Sequence, residues 1–227
     1  MATIAVVAIE NLDANNLAKL MYCFRDALQD HKESLNSLNV YPVPDGDTGT
    51  NMYGTLEGIQ SRMRTVEYAD LRELTDLLSQ AALYEGRGNS GIILSQIFRG
   101  LAEYLSVHTS EIDLEIISGA IGNARVKAFD SVAEPTEGTM LTVLSDVANR
   151  ADSLKGKEIS LKNLFKLLVE EAQRSVDRTP ELLPILKDSG VVDSGGYGIE
   201  VILEGMAIFL TDTDPATVPI MVRRPDG

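Results

Sequence analysis

The residues with the clearest chemical potential lie between 39 and 51, where the sequence reads NVYPVPDGDTGTN. Asp45 and Asp47 stand two apart across Gly46, so a turn can bring both carboxylates to one point. Two such charges ~4 Å apart repel by ~4 kcal/mol at an effective dielectric near ~20. A hard divalent cation removes that repulsion, and magnesium with phosphate is the usual partner of one or two carboxylates. Pro42 and Pro44 push Tyr41 and Val43 out of helical space, which makes the approach extended and stiff. A calcium loop fails on register. Counting from Asp45, Thr50 falls where its glycine belongs and Leu56 where its bidentate glutamate belongs. The plain alternative is a solvated Asp-Gly turn.

Three more loops pair glycines with polar residues at helix starts. Residues 86–91, GRGNSG, spell G-x-G-x-x-G, but residues 77–85 before them are helical, whereas a dinucleotide fold needs a strand there. No lysine follows Gly91, which excludes the P-loop mechanism. What remains is an anion-receptive helix start, with backbone N–H groups and the positive dipole end exposed by Gly88, Asn89, Ser90 and Gly91. A glycine-rich turn between helices is the competing reading. Residues 137–141, EGTML, place Gly138 and Thr139 at an N-cap and Met140 just inside the helix. Residues 193–198, DSGGYG, open an apolar helix with three glycines. Glycine in a helix costs up to ~1 kcal/mol against alanine, so close ligand approach or tight helix packing must justify them.

Helical periodicity dictates the elements that carry these loops. Leu17, Leu20, Met21, Phe24 and Leu28 trace one face behind Asp13, a capping residue. Similar stripes run through Leu56 and Ile59, Leu74 and Leu78 (behind Asp70), Ile97 and Leu101, Ile117 and Ile121, Leu141 and Leu144, Leu164 and Leu168 (behind Ser160), and Ile202 and Met206. The expectation is an all-α domain of about eight amphipathic helices, each stripe a core face. Only residues 4–9 and 218–222 look strand-like. The expected divisions are an N-terminal extension at 1–12, a folded domain at 13–212, and a linker towards further domains at 213–227.

The formal net charge of −14 argues against a nucleic-acid or anionic-membrane partner. It also means that an anionic substrate needs a cation to mediate. Cys23 is the one cysteine, which excludes a disulfide framework and suits a reducing compartment, with the thiol buried as a small hydrophobe. No apolar run approaches ~18 residues, so no membrane span is expected and a cytoplasmic location is. His31 and His108 lie in polar stretches that suggest exposed surface, and Arg178 reads as a solvated arginine rather than a phosphate ligand.

Residues 39–51, 86–91, 137–141 and 191–196 together resemble the nucleotide-binding family of dihydroxyacetone kinases, and within it the catalytic subunit of the fatty acid kinase branch. The resemblance covers residues from about 13 to 210, and PVPDGDTGTN at 42–51 is its most specific motif. It implies an antiparallel eight-helix barrel that holds ATP or ADP in loops at one end. By the same resemblance Asp45 and Asp47 are the catalytic residues and, with Asn39 in the metal site, bind two magnesium ions that bridge the phosphates. Dihydroxyacetone kinases carry a further aspartate a few residues earlier, where this sequence offers Asn39, and a histidine where it has Thr48. Thr48, Thr50 and Asn51 are implied near the phosphates. Gly88, Asn89, Ser90, Gly91, Gly138, Thr139 and Met140 are implied in the nucleotide pocket, closed by Asp193 and Gly195.

Fatty acid kinase, by this resemblance, phosphorylates the carboxylate of a fatty acid carried by a separate fatty-acid-binding protein of the DegV type. The acyl phosphate feeds phospholipid synthesis. The further domains absent here are expected to engage that partner and to support a homodimer, and the isolated domain is expected to be inactive on free fatty acid. Every apolar stripe is needed for packing, which leaves no core space for an acyl chain. A dihydroxyacetone kinase nucleotide subunit, and an ADP- or ATP-binding regulatory module without turnover, are the alternatives.

Overall fold

The computed structural model describes residues 13–65, 67–108 and 112–211. Those residues form nine helices and no strand: α1 (Ala14–Ser37), α2 (Thr48–Met63), α3 (Leu71–Glu85), α4 (Gly88–Ser106), α5 (Leu114–Asp130), α6 (Met140–Ser153), α7 (Leu161–Leu182), α8 (Pro184–Asp188) and α9 (Ser194–Thr211). The all-α expectation is borne out. The strand-like runs at 4–9 and 218–222, the N-terminal extension and the linker lie outside the described residues.

Sequence neighbours pack side by side, α1 through α7, and α9 closes the ring by packing on both α7 and α1. This is the arrangement of a helical barrel. Its interior is the apolar stripe of each helix, with Met21, Leu28, Met52, Leu56, Ile59, Leu74 and Leu164 all fully buried. The helix beyond the expected eight is α8, a single turn that no periodicity could announce. Leu183 leaves helical space (φ −122°, ψ 104°), and Pro184 restarts the chain at the first helical position.

The helix starts divide into two groups. α1, α3, α5 and α7 begin at one end of the barrel, and each is capped by its own preceding residue: Asp13 accepts from Asn16 N–H (2.7 Å), Asp70 from Glu73 (2.9 Å), Asp113 from Ile116 (2.9 Å) and Ser160 from Asn163 (3.4 Å). The long helices α2, α4, α6 and α9 begin at the other end. Asp47, Arg87 and Thr139, which precede α2, α4 and α6, make no side-chain cap. A helix leaves four N–H groups without intrahelical partners, so three helix starts at this end lack a cap from their own preceding residue and present positive dipole ends.

Two expectations about the interior need correction. His31 is buried, 2% exposed, because it sits on the same face of α1 as Leu28 and Leu35 despite polar sequence neighbours. Its ring meets Tyr197 edge-on, and Nδ1 donates to the Ala27 carbonyl at 2.9 Å. His108 is half-buried and stacked on Tyr104, with ring centroids 4.2 Å apart. The core also contains an apolar cavity of about 130 Å³ between residues such as Phe24, Phe98, Phe165 and Met206. That volume suits a group about the size of benzene rather than a long acyl chain. Cys23 is half-buried, and burial with Asp26 nearby pushes its thiol pKa up. Among the described residues no helix is long and apolar enough to cross a membrane.

Candidate functional site

The loop between α1 and α2 is built around Asn39. Its side-chain Nδ2 donates to the carbonyls of Val43 (3.2 Å) and Tyr41 (3.4 Å), and its Oδ1 accepts the Asp47 N–H (3.2 Å). A single buried amide thus folds the proline-rich approach back on the start of α2. The Tyr41–Pro42 peptide is cis, and Gly46 takes φ +68°, a conformation that favours glycine. Asp45 is exposed and Asp47 half-exposed.

These residues form one wall of a cavity of about 640 Å³ at the barrel end where α2, α4, α6 and α9 start. Such a volume is within the range of small-molecule sites. Of the residues singled out in the sequence, Asn39, Asp45, Asp47, Thr48, Asn51, Gly88, Asn89, Ser90, Thr139, Met140, Asp193 and Gly195 line it. Ser90 also donates to the Thr48 carbonyl at 3.4 Å, which joins the starts of α2 and α4.

Three residues lie off the lining. Thr50 faces α1, where its N–H donates to Asn36 Oδ1 and its hydroxyl accepts from Asn36 Nδ2, both at 3.1 Å. Gly91 is where α4 crosses α2, since a Cβ there would stand 2.3 Å from Thr55 Oγ1 and 3.0 Å from the Asn51 carbonyl. Gly138 takes φ +79° and donates its N–H to Thr142 Oγ1 at 2.9 Å, in a turn pressed against Leu183. Arg178 is also away from the cavity, paired with Asp146 at 2.7 Å.

Sequence reasoning missed residues 131–136 as a wall. Ser131, Val132, Ala133, Glu134 and Thr136 line the cavity opposite the aspartate loop, and with Ile93, Met140 and Leu141 they give it an apolar side. Only Pro135, which fixes an extended turn after α5, hinted at them. Tyr41 reaches across the mouth to this wall, its hydroxyl 3.0 Å from Thr136 Oγ1.

The electrostatics are one-sided. Asp45, Asp47, Glu134 and Asp193 line the cavity, and its described lining includes no lysine, arginine or histidine. Asp193 is buried, and desolvation pushes its pKa up to about 7 although the N–H groups of Gly196 and Met140 face its carboxylate. Asp45 and Asp47 make neither a side-chain cap nor an ion pair among the described residues, and no cluster of three or more histidine, cysteine or acidic residues is found there. Two unengaged carboxylates in an open polar loop fit magnesium, which keeps several waters and takes the remaining oxygens from phosphates. They do not make a complete all-protein cage.

A family model described as the DAK2 domain matches residues 42–208. The chain belongs to the DAK2 domain family. The matched stretch runs from the aspartate loop into α9, so it includes every helix start around the cavity. A DAK2 domain is a dihydroxyacetone kinase-type nucleotide-binding module, which bears out the coarser form of the resemblance. Protein YloV of Bacillus subtilis is 38% identical over 94% of this DAK2 chain and 38% of its own length. Uncharacterized protein MG369 of Mycoplasma genitalium is 39% identical over 86% of the chain and 34% of its own length. Uncharacterized protein SAUSA300_1119 of Staphylococcus aureus is 38% identical over 78% and 32%, respectively. The DAK2 chain therefore spans under two fifths of the length of these relatives.

Proposed function

We propose that this DAK2 domain binds Mg-ATP in the loop cavity and is the phosphoryl-donating part of a fatty acid kinase. The acceptor would be the carboxylate of a fatty acid presented by a separate fatty-acid-binding protein of the DegV type, and the product an acyl phosphate. One observation carries the nucleotide reading: three helix starts without a cap from their own preceding residue, and two unengaged carboxylates, open on the same cavity. Helix N-termini attract phosphate, and carboxylates beside them repel it unless a cation intervenes.

Asp45 and Asp47 would hold the two magnesium ions, with Asn39 keeping their loop in place. Bound there, the ions supply the positive charge that this acidic lining lacks. The starts of α2 and α4, with Asn51, Asn89 and Ser90, would orient the phosphates. Ile93, Val132, Ala133 and Leu141 would bury the base against the apolar side. Phosphoryl transfer depends chiefly on such positioning and charge stabilisation.

A carboxylate acceptor arrives ionised, so it needs no general base, whereas a hydroxyl acceptor must lose a proton. The absence of histidine and lysine from the described lining favours the former. The small core cavity suits a lipid held elsewhere. The test is an assay of this chain with Mg-ATP and micellar fatty acid, then of the full-length protein with a lipid-loaded partner. The expected results are no acyl phosphate in the first and turnover in the second. Robust phosphorylation of free fatty acid by this chain would overturn the need for a presenting partner.

A further inference from the structure

The start of α6 lacks a cap of its own, because the Thr139 hydroxyl turns back to donate to the Thr136 carbonyl at 2.8 Å. The carboxylate beside it comes from another helix. The carboxylate of Asp193, at the start of α9, faces the Met140 N–H, and its Oδ2 accepts the Gly196 N–H at 2.7 Å. The Asp193 N–H in turn donates to Thr179 Oγ1 at 2.9 Å, near the end of α7. Thr179 is fully buried and Asp193 is 6% exposed. One buried residue therefore joins α6, α7 and α9 where they meet the cavity.

A serine would cap α9 without bringing a carboxylate into the core, but it could not also reach α6. Gly195 sits closely between them, and a Cβ there would stand 3.1 Å from Met140 Sδ and 3.4 Å from Asp193 Oδ2. Met140 and Gly195 both form cavity wall, and both are fixed through Asp193. We propose that Asp193 is a positioning residue for nucleotide binding, a clamp that sets where the first turns of α6 and α9 stand on the cavity wall. The proposal rests on the nucleotide reading of this cavity. Desolvation of a carboxylate that pushes its pKa up to about 7 opposes folding rather than aiding it, which argues for a role beyond stability.

The experiment compares the 227-residue chain with Asp193→Ser and Asp193→Asn variants. Mg-ADP is titrated calorimetrically, and amide nitrogen–proton spectra are recorded without nucleotide. Asp193→Ser keeps a cap for α9 and releases α6. It should shift the Met140 amide signal and weaken Mg-ADP binding at least about tenfold, the loss expected for one hydrogen bond to a charged group. Asp193→Asn retains one acceptor oxygen and should restore part of that affinity. Wild-type affinity in Asp193→Ser, with the Met140 signal moved, would overturn the clamp alone. Failure of the wild-type chain to bind Mg-ADP would overturn the nucleotide reading and the clamp with it. If Asp193→Ser does not fold, hydrogen exchange in the wild type decides. Mg-ADP should slow exchange at Met140 and Gly196 together, and no change at either would overturn the proposal.

Discussion

The Tyr41 hydroxyl lies 3.0 Å from Thr136 Oγ1, although 95 positions separate the two residues. This bond joins the aspartate loop to the wall formed by residues 131–136, so it fixes the width of the cavity mouth. Tyr41→Phe removes the bond and little else. A neutral hydrogen bond contributes about 1 kcal/mol. The variant should keep wild-type helix content, melt slightly lower and bind Mg-ADP about fivefold more weakly by calorimetry. Unchanged affinity would mean that the two loops find their places independently.

Gly91 gives a prediction of a different kind. An added Cβ would meet Thr55 Oγ1 at 2.3 Å and the Asn51 carbonyl at 3.0 Å, so α4 and α2 would have to separate. Gly91→Ala should therefore lower thermal stability, with an overpacking cost of about 1–3 kcal/mol, despite alanine's better helix propensity. Thermal unfolding followed by circular dichroism measures this. A variant as stable as wild type would show that the crossing has slack.

Asp193 predicts a pH dependence. Its folded-state pKa is raised from 3.8 to about 7, so between those values the folded chain binds more protons at this site than the unfolded chain. Stability from this group is then greatest below about pH 4, falls as pH rises, and levels off above about pH 7. Asp193→Asn removes the titration. The difference in unfolding free energy, variant minus wild type, should become more positive between pH 5 and pH 8, by roughly a few kcal/mol at most, as read by denaturant unfolding. A difference that stays flat would show that Asp193 titrates as an ordinary surface carboxylate.

The helices and the location of the site were readable because both rest on local chemistry. Leu17 to Leu28 repeat at helical spacing, Asp13, Asp70 and Ser160 cap as their sequence positions suggest, and all four polar loops reach one barrel end. Residues whose roles depend on distant partners were less readable. Gly91 and Gly138 looked like ligand contacts, yet one serves a helix crossing and the other a tight turn. Thr50 answers Asn36 on another helix, and His31 is interior because of its angular place on α1 rather than its neighbours. The wall at residues 131–136 has no motif, since it contributes mainly apolar contact. α8 is too short to show a period.

The central claim is that nucleotide binds through magnesium held at the aspartate loop. Its most direct test is calorimetric titration of this chain with ATP, with and without magnesium, for the wild type and for Asp45→Asn and Asp47→Asn. Both variants should retain the helical circular dichroism spectrum, because neither carboxylate packs in the core. The wild type should bind ATP strongly only with magnesium, since four carboxylates without a lining cation oppose the bare triphosphate. Each variant should lose most of that magnesium-dependent gain. Equal ATP affinity in all three proteins, with magnesium or without it, would contradict the account.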